Sequence, residues 1–466
     1  MYRDACRATP HPDLRLAPRH SAFQDKQIRL LDFRQGLDAK VPTSILVELA
    51  PPHKVVELGP DVTDKYEEGT HAIFHRYKMQ LHDQPDKKTI RADIGDIELP
   101  TEVVFARALE IMKQKVLDQA ASRGMPFSTL STLWVLTVPA IWTAKAKQMM
   151  RHAAYKAGLI ASEASSQLML ALEPECAALQ AHVDCQILHQ GRKYAILDCG
   201  GGTIDTTAYV IDGIAPLNLR EIHRATGGGW GSTFIDRELI KVLRSIFGNP
   251  RCLEQGQMAL FDFLTNVWEA AKVRISQENL DNPDYRLSIN VMAITDELDD
   301  DDFDLGGAIK RYNARHPSQA PITKFGARNI RLPRDVINAI FHPALSKIEG
   351  HVKSLLRKLP DLNYIVIVGG FGSSSVLQNA IRQAAAGSST QVITVANTSL
   401  AIVMGAVRFG LDPHSVKERR AKITYGIEMS DVWTEGGRHP ASRKVFDEKL
   451  KEYRVPKVRR GGQGPW

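Results

Sequence analysis

Residues 194–213, YAILDCGGGTIDTTAYVIDG, set three consecutive glycines between two apolar runs, with Asp198 before them and Thr203 and Asp205 after. The run 194–197 has the character of a short buried strand. Residues 206–211 are β-branched and aromatic, and Asp212-Gly213 is expected to close that second run as a turn. The spacing therefore predicts strand, tight glycine turn, strand. A dinucleotide-binding loop needs a helix after its glycines, and none is written here. No G-x-x-x-x-G-K-[ST] occurs in the chain, which excludes that phosphate loop. What remains is a hairpin whose turn, Gly200-Gly201-Gly202, can aim successive N–H groups at one anion, with Gly201 expected at positive φ. Asp198 and Asp205 bracket it with carboxylates suited to a hydrated Mg²⁺ that bridges phosphates. An ordinary glycine-rich hairpin is the alternative that these residues leave open.

Elsewhere strand and helix patterns alternate, the mark of an α/β architecture. TSILVEL (43–49) and HKVVELG (53–59) read as paired strands, and TEVVFARALEIMKQKVLDQAAS (101–122) as a long amphipathic helix. LWVLTVPA (133–140) reads as a buried strand running into a helix over 143–159 that closes at Gly158. SQLMLALEPECAALQAH (166–182) reads as a strand to Leu172, a break at Pro174 and a helix after it. TGGGWGSTFIDRELIKVLRSIFG (226–248) predicts a glycine loop feeding a helix, and FLTNVWEAAKVRIS (263–276) a further helix. YIVIVGGFGSSSVLQNAIRQA (364–384) predicts a strand, a Gly-Gly turn, an N-capping serine and a helix. Each of the three glycine loops lies at a strand end or a helix start, where N–H groups are free for an anion. Together with two aspartates they point to a nucleotide cleft between lobes.

At 466 residues the chain is too long for one typical core, which predicts two or more lobes. No apolar run approaches the ~20 residues of a membrane span, and the polar first twenty residues lack the apolar stretch of a secretory signal. Cys6, Cys176, Cys185, Cys199 and Cys252 form no C-x-x-C pair and read as free thiols of a reducing, cytoplasmic compartment. The net charge of +7 is concentrated in KERRAK (417–422) and KVRR (457–460), expected to be a solvated end. No basic strand is interleaved with aromatics, which argues against nucleic acid as a partner. DELDDDDFD (296–304) lacks the glycine and closing glutamate of a calcium loop and reads as a surface loop.

The segments WVLTVPAIWTAKAKQMMRHAAYKAGL, LALEPECAAL, ILDCGGGTIDTTAYVI, WEAAKVRIS, IVIVGGFGSSSVLQ and AIVMGAVRFGLDPHSVKERRAKITYGI occur in the order of the heat shock 70 kDa family's ATPase domain. VPAIW, VGGFGSSSVLQ and GAVRFGLDP resemble its divergent 12A/12B-like subfamily, as do KVPTSILVE and DKYEEGTHAIFHRYKMQLHD. The resemblance implies the actin-like ATPase fold, two lobes closing on ATP and Mg²⁺. It implies lobe I over 36–190 and lobe II over 191–412, between an irregular segment, 1–35, and a basic C-terminal segment, 413–466.

Carried over residue by residue, the resemblance gives Asp198 a place in the Mg²⁺ shell. Gly200, Gly201, Gly202 and Thr203 lie around the β- and γ-phosphates, and Glu173 beside the γ-phosphate. Lys78 in HRYKMQL stands about where the family keeps its catalytic lysine, with an exposed surface lysine as the alternative. Glu173, which precedes a proline, also reads as a simple helix-start acid favourable to the dipole. Glu269, Lys272 and Ser276 match the adenosine-binding face, and Gly369 and Gly370 the adenosine-side turn. That turn would serve strand–helix packing equally well. Gly228 and Gly229 read as loop flexibility or phosphate contact. Val273 and Ser373 stand where the classical chaperones carry arginines, and Ser399 replaces a ribose-side aspartate.

The family's first phosphate hairpin, of the form D-x-G-T-T, has one candidate here, LLDFRQGLDAK (30–40). It contains Asp32 but no Thr-Thr, so the expectation is a chain lacking that hairpin and also the β-rich substrate-binding region. Two classes of function follow: an ATP-binding, chaperone-related ATPase whose partners are ATP or ADP and client proteins, and a non-hydrolysing scaffold on the same fold.

Overall fold

The computed structural model describes residues 6–8, 28, 41–84, 87–185, 189–298, 303–420 and 427–460. In chain order its first half holds β1 (Cys6–Ala8), β2 (Ser44–Glu48), β3 (Val55–Leu58), β4 (His71–His75), α1 (Tyr77–Asp83), β5 (Thr89–Arg91), β6 (Glu98–Pro100), α2 (Thr101–Ser122), β7 (Leu133–Val138), α3 (Ala144–Lys156), β8 (Leu168–Leu172) and α4 (Glu173–Asp184). The two apolar runs read as paired strands do pair, in the antiparallel sheet β3-β2-β4. β7 and β8 run parallel, with β1 antiparallel on the other side of β7. The helix expected over 101–122 spans those residues and buries Val104, Phe105, Leu109, Met112 and Val116, its three- and four-spaced stripe, the first four of them in one core with Trp134 and Leu136.

The second half holds β9 (Lys193–Cys199), β10 (Ile204–Ile214), β11 (Leu217–Gly228), α5 (Ser232–Phe247), α6 (Met258–Asp262), a π-helical stretch Phe263–Trp268, α7 (Glu269–Val273), α8 (Gln277–Asp281), β12 (Arg286–Asn290), α9 (Met292–Thr295), α10 (Leu305–Arg315), β13 (Thr323–Phe325), β14 (Asn329–Pro333), α11 (Arg334–Lys358), β15 (Tyr364–Val368), α12 (Ser375–Ala385), β16 (Gln391–Thr394), α13 (Ala401–Leu411) and β17 (Val416–Glu418). Six strands form one mixed sheet, β16-β15-β9-β10-β11-β17. Both faces of β9 are covered. Ala195, Leu197 and Cys199 face the core with α5, α11 and α12, and Tyr194 and Ile196 face the core with α4 and α13. Double burial is why this strand reads as a continuous apolar run rather than an alternation. Phe261 of α6 enters a cluster of Leu46, Val62, Ile73 and Ile94, which joins the two halves.

Several expectations are corrected. Asp212-Gly213 is not a turn: β10 continues to Ile214, with a register shift between Ile211 and Gly213, and the chain reverses at Ala215-Pro216. Arg220 on the partner strand grips Asp212, which lets the acid stay inside the ladder. The strand does end at Leu172 and a helix follows, but no break falls at Pro174: α4 begins at Glu173 and includes the proline, which is tolerated in a first turn. Gly227 and Gly228 belong to β11, so the loop before α5 is shorter than expected.

The described part of the basic run, 417–420, is exposed as expected of a solvated end, but it is tethered to the body. Val416 pairs parallel with Leu219, and Arg419 is bound to the buried Glu175. Beyond it β18 (Ile427–Val432), β19 (Val445–Asp447) and β20 (Glu452–Arg460) form a sheet of their own, order β18-β20-β19, which includes the KVRR backbone. The candidate first hairpin, 30–40 with Asp32, lies outside the described residues, as does the middle of the acidic run 296–304. Cys176, Cys185, Cys199 and Cys252 are free thiols. Among the described residues no helix is long and apolar enough to cross a membrane.

Candidate functional site

The glycine hairpin is the centre. β9 and β10 pair antiparallel so that Asp198 stands directly opposite Asp205, which puts both buried carboxylates on one face of the sheet. Thr203 Oγ1 donates to Asp205 Oδ2 at 2.8 Å. The turn is closed by Gly200 N–H donating to Thr203 O at 2.9 Å. Its carbonyls are taken by the start of α5: Gly231 N–H donates to Gly202 O (3.2 Å) and Thr233 N–H to Gly201 O (2.8 Å). Carbonyls bound on one side leave the loop's N–H groups for the other; among the described residues those of Gly201 and Gly202 have no backbone acceptor.

None of the three glycines has positive φ, contrary to the expectation for Gly201. The requirement is steric instead. A Cβ on Gly202 would collide with Met79 Sδ of α1, whereas one on Gly201 would meet only Ser232 Oγ, at 4.0 Å. Gly369 has φ +90° and lies against Asp198 Oδ1 and the Cys199 carbonyl, so there the turn does need glycine. Gly228 packs on the Trp230 ring, while Gly229 faces open space within 4 Å.

Lys78 is the neighbour of Met79 on α1. The Lys78 ammonium donates to Glu173 Oε1, with side-chain exposures of 16% and 10%. Lys78 is therefore no surface lysine. Glu173 is the first residue of α4, so the helix-start reading is correct as far as it goes, but the acid also holds a cation.

The residues expected around an adenosine lie on α7, at the start of α8 and in the turn after β15. Ser276 caps α8 through a capping box with Asn279, and the next N–H, Gln277, donates to Ser375 Oγ at 2.9 Å beside the Gly369-Gly370 turn. Ser373 Oγ donates to Gly370 O at 2.8 Å. Val273 is 70% exposed. Ser399 lies in the turn before α13. Lys272 is 2.7 Å from both Glu269 and Asp236. Asp236 also accepts from Trp268 Nε1 at 2.8 Å and pairs with Arg76 at 2.7 Å. Burial would raise its pKa, but Lys272 and Arg76 hold it below the usual carboxylate range.

Asp236, Arg76 and Met79 were not singled out in the sequence. For Asp236 a signal exists: it falls in the stripe Ile235, Leu239, Leu243 that α5 buries, where a charge needs a partner. Arg76 and Met79 flank Lys78 closely, but nothing local distinguishes them.

The donor set suits Mg²⁺, a hard cation that takes one or two carboxylates and fills its shell with water and phosphate oxygens. Asp198 and Asp205 supply two hard oxygen donors, and no group of three or more potential His, Cys, Asp or Glu ligands occurs among the described residues. Cys199 is no nucleophile here: burial, with the charges of Asp198 and Asp205, pushes its thiol well up.

No family model matches the chain. It is 30% identical to heat shock 70 kDa protein 12A of Homo sapiens, over 88% of this chain and 68% of the relative, and equally similar to the Mus musculus protein. It is 28% identical to heat shock 70 kDa protein 12B of Homo sapiens, over 79% of this chain and 61% of that one. A chaperone protein HscA homolog of Acinetobacter baylyi is 26% identical over 53% of this chain and 32% of its own length.

Proposed function

Because this chain belongs to the heat shock 70 kDa protein family, in its 12A/12B-like branch, and carries that family's actin-like ATPase fold, we propose that it binds Mg-ATP in the cleft lined by the glycine hairpin and acts as a chaperone-related protein. The observation that carries the reading is the cross-strand pair Asp198–Asp205 beside a glycine turn whose carbonyls are already bound to α5. That arrangement aims N–H groups and carboxylates at one point, as a phosphate with its cation requires.

In this reading the N–H groups of Gly201 and Gly202 bind the β- and γ-phosphates; Gly200, whose own N–H closes the turn, shapes the loop, and the Thr203 hydroxyl joins the phosphates by rotating away from Asp205. Asp198 and Asp205 hold the hydrated cation, whose contribution is neutralisation of phosphate charge. Lys78 places a positive charge near the γ-phosphate, and Glu173 orients that lysine and the attacking water. Glu269, Lys272, Ser276, Gly369 and Gly370 surround the adenosine, with Gly228 and Gly229 beside the phosphates.

Slow hydrolysis is part of the proposal. Phosphoryl transfer relies on donors placed around the γ-phosphate from every side, and among the described residues one glycine hairpin faces this site. Met79 packed on Gly202 favours the second reading, a nucleotide-binding scaffold with little turnover, since it crowds the loop from the opposite half.

The test is calorimetry of ATP binding with and without Mg²⁺, for the natural chain and Asp198→Asn. The natural chain should bind more tightly with Mg²⁺, and the variant should lose that dependence. Equal Mg²⁺ dependence in both would reduce Asp198 to a structural carboxylate and sink the assignment. Single-turnover hydrolysis of labelled ATP then separates the ATPase from the scaffold.

A further inference from the structure

We propose that Trp142 is a positioning residue that sets the Lys78 ammonium against Glu173; its bearing on turnover rests on the reading of Lys78 as the γ-phosphate-side cation. Lys78 Nζ lies over the Trp142 ring, 5.9 Å from its centroid, while the same ammonium donates to Glu173 Oε1. Trp142 is 3% exposed, so water barely screens the ring face on which the cation rests. A lysine ammonium is a mobile point charge on a four-carbon stem. A carboxylate on one side and a ring on the other select the rotamer that reaches Glu173.

The ring is itself fixed from behind. Tyr77 meets Phe105 edge-on at 5.2 Å and 86°, and Phe105 meets Trp142 at 6.3 Å and 71°. All three are buried. Tyr77 is the first residue of α1 and the neighbour of Lys78, so the ladder closes on itself. The chain enters α1 at Tyr77, packs through Phe105 of α2 onto Trp142, and Trp142 returns beneath Lys78. The indole comes from the turn after β7, where the Trp142 backbone N–H donates to Pro139 O at 3.1 Å. A tryptophan that only filled the core would depend on volume. One that holds a cation depends on the electron density of its face.

The experiment exploits that difference in the full chain. Fluorinated tryptophans introduced at position 142 alone withdraw electron density with little change in size. The readout is the rate at which an amine-reactive ester acylates Lys78 at fixed pH, followed by peptide mass spectrometry, with and without Mg-ATP. Labelling should climb stepwise with fluorination, and Trp142→Leu should reach roughly two- to tenfold faster labelling than the natural chain, with Trp142→Phe between. A flat response across the fluorinated series overturns the proposal, and that series keeps the shape of the core should Trp142→Leu fail to fold. The ATP arm addresses the nucleotide reading separately. Labelling that follows the fluorine series but ignores Mg-ATP would sink nucleotide binding at Lys78 while leaving Trp142 as the residue that positions the Lys78–Glu173 pair.

Discussion

Arg76 Nη2 and Asp236 Oδ2 meet at 2.7 Å although the residues are 160 apart in the chain. Arg76 precedes α1, and Asp236 lies in the buried face of α5, so the pair ties the first half of the protein to the second. Asp236 is also the acceptor for Lys272 and Trp268. One carboxylate thus neutralises two cations, and the buried Lys272 depends on it most. Asp236→Ala should cost about 3 kcal/mol, the low end for a broken buried pair, because it leaves the buried Lys272 ammonium with only the half-exposed Glu269 as counter-charge. Arg76→Ala leaves Asp236 with Lys272 and Trp268 and should cost roughly 1–2 kcal/mol. Urea unfolding of the two variants checks the order; equal losses would mean that Asp236 is no hub.

Gly202 and Met79 should behave as a pair. A side chain at 202 collides with Met79 Sδ, the mobile end of a flexible residue, so the Met79 side chain must give way. We expect Gly202→Ala to cost about 1–3 kcal/mol and to weaken any Mg-ATP binding. Met79→Ala, made in the same chain, should return most of the stability. If the double variant is no more stable than Gly202→Ala alone, the contact is not what constrains this glycine.

Asp93 predicts a pH dependence. Burial raises its pKa from 3.8 to about 6, against the hydrogen bond from His75 N–H and the charge of Arg76. A carboxyl with a raised folded pKa contributes its stability in full below the unfolded pKa and loses it as pH rises through the folded one. Stability should therefore fall between about pH 4 and 6 by about 3 kcal/mol from this group. Asp93→Asn keeps an acceptor for His75 and removes the titration. Thermal unfolding from pH 4 to 7 should show a shallower slope for the variant; parallel curves would assign the titration elsewhere.

The basic segment after β17 supplies a fourth test. Arg419 meets Glu175 through Nε (2.5 Å) and Nη2 (3.1 Å), and Arg420 N–H donates to Glu221 at 2.9 Å. Arg419 is 44% exposed on its side chain, so solvent screening trims the pair despite its bidentate geometry. Glu175→Gln should speed tryptic cleavage at Arg419 and Arg420 by about two- to tenfold. Unchanged cleavage would show that β17 pairing alone holds the segment.

Much of this arrangement is legible residue by residue. The hairpin, the helix over 101–122 and the strand–turn–helix at 364–384 were all readable, because apolar spacing and glycine or serine punctuation report local geometry. The turn wrongly placed at Asp212-Gly213 shows the limit. A local turn signal lost to Arg220, a partner reached only once β10 and β11 are paired. The tethering of Arg419 and Arg420 was illegible for the same reason, since the acids that hold them, Glu175 and Glu221, lie far away in the chain.

The sequence by itself determined that two aspartates would flank three glycines on adjacent strands, since a short hairpin leaves strand register almost no freedom. It also determined which helices carry an apolar stripe, and, through its motifs, the family. Tertiary structure alone decided that Lys78 would find Glu173, that Asp236 would hold Arg76 and Lys272, and that steric contact with Met79 rather than backbone φ would be what Gly202 answers to. Local pattern reflects the backbone's near neighbours, whereas buried charges and close contacts are settled by whichever distant groups folding brings within a few ångströms.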